Sequence, residues 1–169
     1  MSALLEQLRR IKDHRGLMAD LRCSLVEGKE HRAWAALSRI HVDVDDDVKA
    51  LVAGLYATHP EEIDQGNLGS TCRILEVKRD GGSKGDDKVL PTERRFQHLL
   101  AAEAGRELFA RVTRMVLMAK AQGVPVNYER LVVDLEFWQR GEIGRERTRR
   151  EWASAFWDSQ AAGSEGVAP

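Results

Sequence analysis

Apolar residues recur along this chain at intervals of three and four, and no stretch shows a clear alternation of period two. That pattern predicts helices throughout and no sheet. Leu4, Leu8 and Ile11 fall on one side of a first helix over residues 2–14, with Arg9 and Arg10 beside them. Gly16 is read as its interruption. Leu17, Leu21 and Leu25 repeat at i, i+4 and i+8 in a second helix that stops at Gly28, and a short segment follows around Trp34 and Leu37. The acidic run Asp43, Asp45, Asp46 and Asp47 marks the next helix start, because carboxylates cap free amides and face the positive end of the helix dipole. Val48, Leu51, Val52 and Leu55 supply its buried face, and His59-Pro60 ends it. Gly66, Asn67 and Gly69 form a turn before a short helix that carries Cys72, Arg73 and Leu75.

The run RDGGSKGDDK from Arg79 to Lys88 holds only glycine, serine and charge, so it is expected to form an exposed loop. It divides the chain into a helical lobe over 1–78, a flexible connection over 79–90 and a helical bundle over 91–158. Residues 159–169 are expected to be a disordered tail. In the second half Pro91-Thr92 opens a helix whose core face is Phe96, Leu99 and Leu100, with Arg94 and His98 turned outward. Residues 105–122 are apolar nearly all round (Leu108, Phe109, Val112, Met115, Val116, Leu117, Met118), the pattern of a central bundle helix. Gly123 and Pro125 stop it. Asn127 caps a helix with the stripe Leu131, Leu135 and Trp138, and the last helix buries Trp152 and Phe156. The fold class is all-α: two small helical bundles joined by a loop.

Composition narrows the chemistry. At 169 residues, with 43% hydrophobic and 31% charged residues, the chain can bury a core and is not of disordered composition. No run approaches the ~20 apolar residues of a membrane span, and the N-terminus lacks the apolar core of a signal peptide, so a cytoplasmic protein is expected. Cys23 and Cys72 are far apart and read as free thiols. An EF-hand loop begun at Asp43 or Asp45 lacks the required Gly and Glu, leaving capping and a solvated acidic face. Hydrolase and nucleotide-binding signatures are missing, and His14, His31, His59 and His98 show no ligand spacing. Neither an enzyme nor a cofactor, metal or small-molecule substrate is called for.

Charge is unevenly placed. The formal net charge is −1, yet Asp43–Asp64 holds seven acids against one lysine, and Pro91–Arg150 holds twelve Lys/Arg against eight Asp/Glu. Arginine far outnumbers lysine, and its planar fork suits phosphate. Such separation can create a basic groove on a neutral protein. The alternating signs of EIGRERTRREW equally suit a solvated helix face, and Arg149, one turn from Trp152, can pack its stem on that ring.

The run PTERRFQHLLAAEAGRELFARVTRMVLMAKAQGVPVNYERLVVDLEFW, followed by TRREWASAFW, resembles the CasB family, the small subunit of the type I-E CRISPR complex Cascade. The matching features are RRF before a Leu-Leu helix, a long helix ending in GVPVNY, the DLEFW segment and a closing R-x-W-x-x-x-F-W. Upstream, DQGNLGSTCRIL is similar to that family's Gly-rich turn and arginine-bearing helix. The likeness covers about residues 60–158. It implies an all-helical, non-catalytic subunit, present in two copies, that contacts other Cascade subunits and supports target DNA and the displaced strand of the guide-RNA R-loop. The family role is carried first onto Arg94 and Arg95, then onto Arg73, Arg114, Lys120, Arg147, Arg149 and Arg150; Arg9, Arg10 and Arg22 follow from charge alone. One of the RRF arginines could instead hold a buried carboxylate such as Asp134 or Glu136. The rival readings are a scaffold whose arginines meet acidic protein surfaces and a helix-turn-helix regulator over 127–158, which lacks a recognition helix with exposed Asn, Gln and Ser.

Overall fold

Nine α-helices and two 3₁₀ segments carry the described residues of the computed structural model, which are 2–81 and 88–165, with side chains through Asp158. The helices are α1 (Ala3–Arg10), α2 (Arg15–Arg22), α3 (Trp34–Arg39), α4 (Asp47–Thr58), α5 (Leu68–Asp80), α6 (Pro91–Leu100), α7 (Arg106–Gln122), α8 (Tyr128–Gln139) and α9 (Glu142–Glu165). Between α2 and α3 the chain passes through 3₁₀ turns at Cys23–Leu25 and Glu30–Ala33. The only β-type pairing among the described residues is an isolated bridge between Glu62 and Val126. The chain is all-α, as its periodicity predicts.

Local chemistry sets the boundaries. Asp46 accepts from the Lys49 amide at 3.0 Å to cap α4. Asn67 and Ser70 form a reciprocal capping box on α5, Pro91 occupies the first turn of α6, and Asn127 accepts from the Arg130 amide at 3.0 Å on α8. The helix expected over 2–14 is shorter, ending at Arg10. His14, rather than Gly16, makes the break: its Nδ1 accepts from the Leu17 amide at 3.1 Å and starts α2, so Gly16 lies inside the helix.

α4 is the central helix. Val48, Leu51, Val52, Ala53, Gly54, Leu55, Tyr56 and Ala57 are all buried, against α2 on one side and α8 on another. Residues 105–122 do form a helix, but α7 lies at the surface: Leu108, Val112, Met115 and Val116 face the core, while Leu117 is 45% exposed. Apolarity all round α7 is thus not accounted for by burial within this chain.

Buried residues from both sides of the 79–90 connection join in one core. α5, ahead of the connection, packs chiefly on α9 and also on α6 and α7, all of which follow it. The connection interrupts the chain without interrupting the packing. Its residues 82–87, and 166–169 of the expected tail, lie outside the described residues. α9 itself runs on to Glu165, past the expected end at 158.

α5 approaches α9 closely. A Cβ on Gly69 would stand 2.1 Å from the Trp152 carbonyl oxygen, so only glycine lets the two backbones meet there. Trp152 is fully buried beside Trp138, with ring centroids 5.2 Å apart, and Phe156 stacks on Phe96 at 4.4 Å. The substitution Gly69→Ala is expected to destabilise the chain by about 2 kcal/mol or more through overpacking, despite alanine's better helix propensity. Urea unfolding followed by far-UV circular dichroism measures the loss.

Candidate nucleic-acid interface

The α8–α9 seam is held by a buried carboxylate. Asp134 on α8 is 2% exposed and accepts from Arg130 Nε at 2.7 Å and from the Trp152 indole N–H at 2.7 Å. Arg130 also pairs with Glu151 on α9. Burial holds the Asp134 carboxyl above its ordinary value, although both hydrogen bonds pull it down. The residue that holds Asp134 is therefore Arg130, not Arg94 or Arg95. That ion pair lies at i, i+4 on one helix, a spacing visible in the sequence.

Several arginines expected at a binding surface have partners within the chain. Arg9 pairs with Glu62 at 2.8 Å and Glu129 at 3.3 Å, tying α1 to the segment before α5 and to α8. Arg10 pairs with Glu6, and Arg22 donates to the Ala57 carbonyl at 2.9 Å. Arg73 holds the fully buried Glu76 at 2.9 Å; burial, with nearby Glu93, raises the Glu76 carboxyl. On α9, Arg147 pairs with Glu151 and Arg150 with Glu146 along the helix. Arg149 donates to the Ala102 carbonyl at 3.1 Å, and its guanidinium lies 5.4 Å over Trp138 rather than on Trp152.

The remaining four sit on two adjacent helices. Arg94 on α6, and Arg114 and Lys120 on α7, are exposed, and no carboxylate among the described residues pairs with any of them. Arg95 is half-buried, and its enclosed Nη1 has no hydrogen-bond partner among the described residues. Arg111 on α7 bonds the His98 carbonyl and Glu107, which fixes α6 against α7 and neutralises that arginine. Arg79 at the end of α5 adds a further unpaired cation beside α7, reaching Met118 Sδ at 4.0 Å. In the sequence Arg79 opens a run of loop composition, so its contact with α7 has no sequence signal.

Among the described residues no group of three His, Cys, Asp or Glu side chains could hold a metal ion, and no helix is long and apolar enough to cross a membrane. Cys72 is buried, which pushes its thiol up, and Cys23 is half-buried; neither forms a disulfide. His59 is buried, with Nε2 at 2.7 Å from the Val124 carbonyl, to which it donates as a structural tie. These features define an all-helical protein in which Arg94, Arg114 and Lys120, on the adjoining helices α6 and α7, are exposed without a carboxylate partner among the described residues. A family model described as CRISPR-associated protein Cse2 matches residues 7–157, and the chain belongs to that family. The fold is similar to the M. ruber CasB crystal structure, with a TM-score of 0.71 and 22% identity over 99% of both chains. It is similar to a Cse2-family protein of Thermus thermophilus (TM-score 0.70, 21% identity, 92% of this chain and 96% of that one). CasB from Thermobifida fusca gives a TM-score of 0.68 at 20% identity, over 90% of this chain and 94% of that one. Comparison with curated proteins finds no match.

Two outcomes follow from these contacts. Because the native Asp134 carboxyl lies above its unfolded value, the folded chain retains a proton that the unfolded chain has lost between the two values. Its contribution to stability therefore falls as pH rises through that interval. Asp134→Asn removes that fall, and urea midpoints from about pH 4 upward are expected to move in the variant's favour relative to the parent as pH rises. Arg9→Ala breaks a half-exposed bridge and is expected to cost no more than about 1 kcal/mol, measured by the same unfolding curves, with no change in nucleic-acid affinity.

Proposed function

We propose that this protein is a non-catalytic subunit of a guide-RNA-directed CRISPR surveillance complex of the Cascade type. In this reading it holds target DNA and the displaced single strand on the α6–α7 face. The observation that carries the reading is the set of unpaired cations there, Arg94, Arg114 and Lys120, on a protein whose other binding candidates are mostly committed to internal partners. Exposed cations release counterions from phosphates and bind without reading sequence. Exchange of a DNA duplex for a guide–target duplex is nearly balanced, so modest contacts to the displaced strand shift it. Arg95 supports the same face from its half-buried position.

The partners are other Cascade protein subunits, a second copy of the chain within the complex and the R-loop strands, in the cytoplasm and without a cofactor. The observation on the side of a scaffold reading is Ile143, 89% exposed at the start of α9, where it lines a surface depression with Glu146, Arg147 and Arg150. The two readings assign different parts of the surface.

Arg94→Ala, Arg114→Ala and Lys120→Ala combined are expected to leave melting temperature and complex stoichiometry unchanged while shortening R-loop lifetime. The slope of log affinity for single-stranded DNA against log salt is expected to fall by about 2, as three phosphates go without their cations. An unchanged slope in a fully assembled complex removes these residues as DNA contacts, and loss of assembly turns the reading toward the scaffold.

A further inference from the structure

A groove of about 500 Å³ runs along the outward face of α7. Its floor is apolar: Ala110, Leu117, Met118 and Ala121. Arg79 from α5 and Arg114 stand over it, and Thr113 and Gln122 add a hydroxyl and an amide to its lining. Leu117 in this lining is 45% exposed. Neither arginine is paired with a carboxylate among the described residues, and Arg79 reaches over the floor to within 4.0 Å of Met118 Sδ.

These properties suit one kind of occupant. A nucleobase has two apolar faces and an edge that donates and accepts hydrogen bonds. The floor matches the face, and Thr113 and Gln122 match the edge. Two guanidiniums can serve either as stacking planes for the ring or as partners for the phosphates on either side of it. An acidic peptide would use the same cations, but Lys120 lies on the same helix and Arg94 on the adjoining one, so a polyanionic strand can meet more of the charge than a single carboxylate-flanked segment would. We infer that the α7 groove seats one unstacked base of a single strand whose backbone is held by the α6–α7 cations, an inference that rests on the nucleic-acid reading above. Duplex DNA keeps its bases stacked and offers none to the groove, so the site selects unpaired strand without reading its sequence.

The full chain is titrated at fixed salt with a short oligothymidylate and with an abasic deoxyribose-phosphate strand of the same length and charge. The base-bearing strand is expected to bind about tenfold tighter, within the range for one base stacked on a side chain. Leu117→Gln, at an exposed position, and Ala121→Leu, which fills the groove without altering charge, are each expected to abolish that preference while leaving the melting temperature and the abasic affinity unchanged. An oligonucleotide carrying 2-aminopurine is expected to change its fluorescence with the parent chain and not with either variant. Equal affinity of the parent for the two strands, or a preference that survives both substitutions, overturns the base site and leaves the backbone reading standing. Absence of binding to either strand overturns both.

Discussion

The contact between Gly69 on α5 and the Trp152 carbonyl on α9 sets the distance on which the second half of the molecule is built. Two helix backbones that close leave no room for a side chain between them, so the larger groups are displaced to either side of the contact. Trp152 is thereby driven toward α8, where its indole N–H finds Asp134. Phe156, one turn later, is driven toward α6, where it stacks on Phe96. The Asn67 side chain donates to the Glu151 carbonyl at 3.2 Å, so the residue that caps α5 also fixes the height of α9 against it. This seam helps to lock together helices on opposite sides of the 79–90 connection.

Pairing, rather than the total of basic residues, decides what this surface can bind. An arginine already bonded to a carboxylate presents little net field, and recruiting it to a phosphate requires breaking a bond first. α9 has several arginines, yet Glu146 and Glu151 are spaced to take Arg150 and Arg147 at i, i+4. α6 and α7 carry few acids: on α7 Arg111 pairs with Glu107 and also clamps α6 against α7, and Arg106 stands 4.0 Å from Glu27. The α6–α7 surface therefore offers more available charge than α9, although both are rich in arginine.

Sequence pattern reveals those elements whose signals are local. The aspartate run, Pro91 and Asn127 each announce a helix start because such a signal acts within the helix's own first turn, whereas Asn67, read as a turn residue, proves to cap α5. The stripe formed by Phe96 and Leu99 marks Arg94 as an outward residue. Long-range relations are not legible. Gly69 reads as a turn residue, since glycine is as common in turns as at close backbone contacts, and only the partner helix distinguishes them. α7 reads as central because an apolar side chain facing solvent has the same letter as one facing core, whereas the shorter α4 is the helix enclosed on all sides. The Arg9 bridge joins residues 53 and 120 positions apart, so nothing near Arg9 could disclose that its charge is committed.

The four tryptophans divide unequally between interior and surface. Trp138 and Trp152 face each other inside the α8–α9 seam, with a guanidinium over one ring and a carboxylate on the other's N–H. Trp157 is half-buried against Phe96 and Phe156, and Trp34 is 50% exposed beside His31. The molecule thus contains its own optical gauge. The enclosed indole pair emits from a dry setting and exchanges excitation at close range, while Trp34 emits from a wet one. Red-edge excitation and quenching by iodide can follow the seam and the surface separately, with no dye attached.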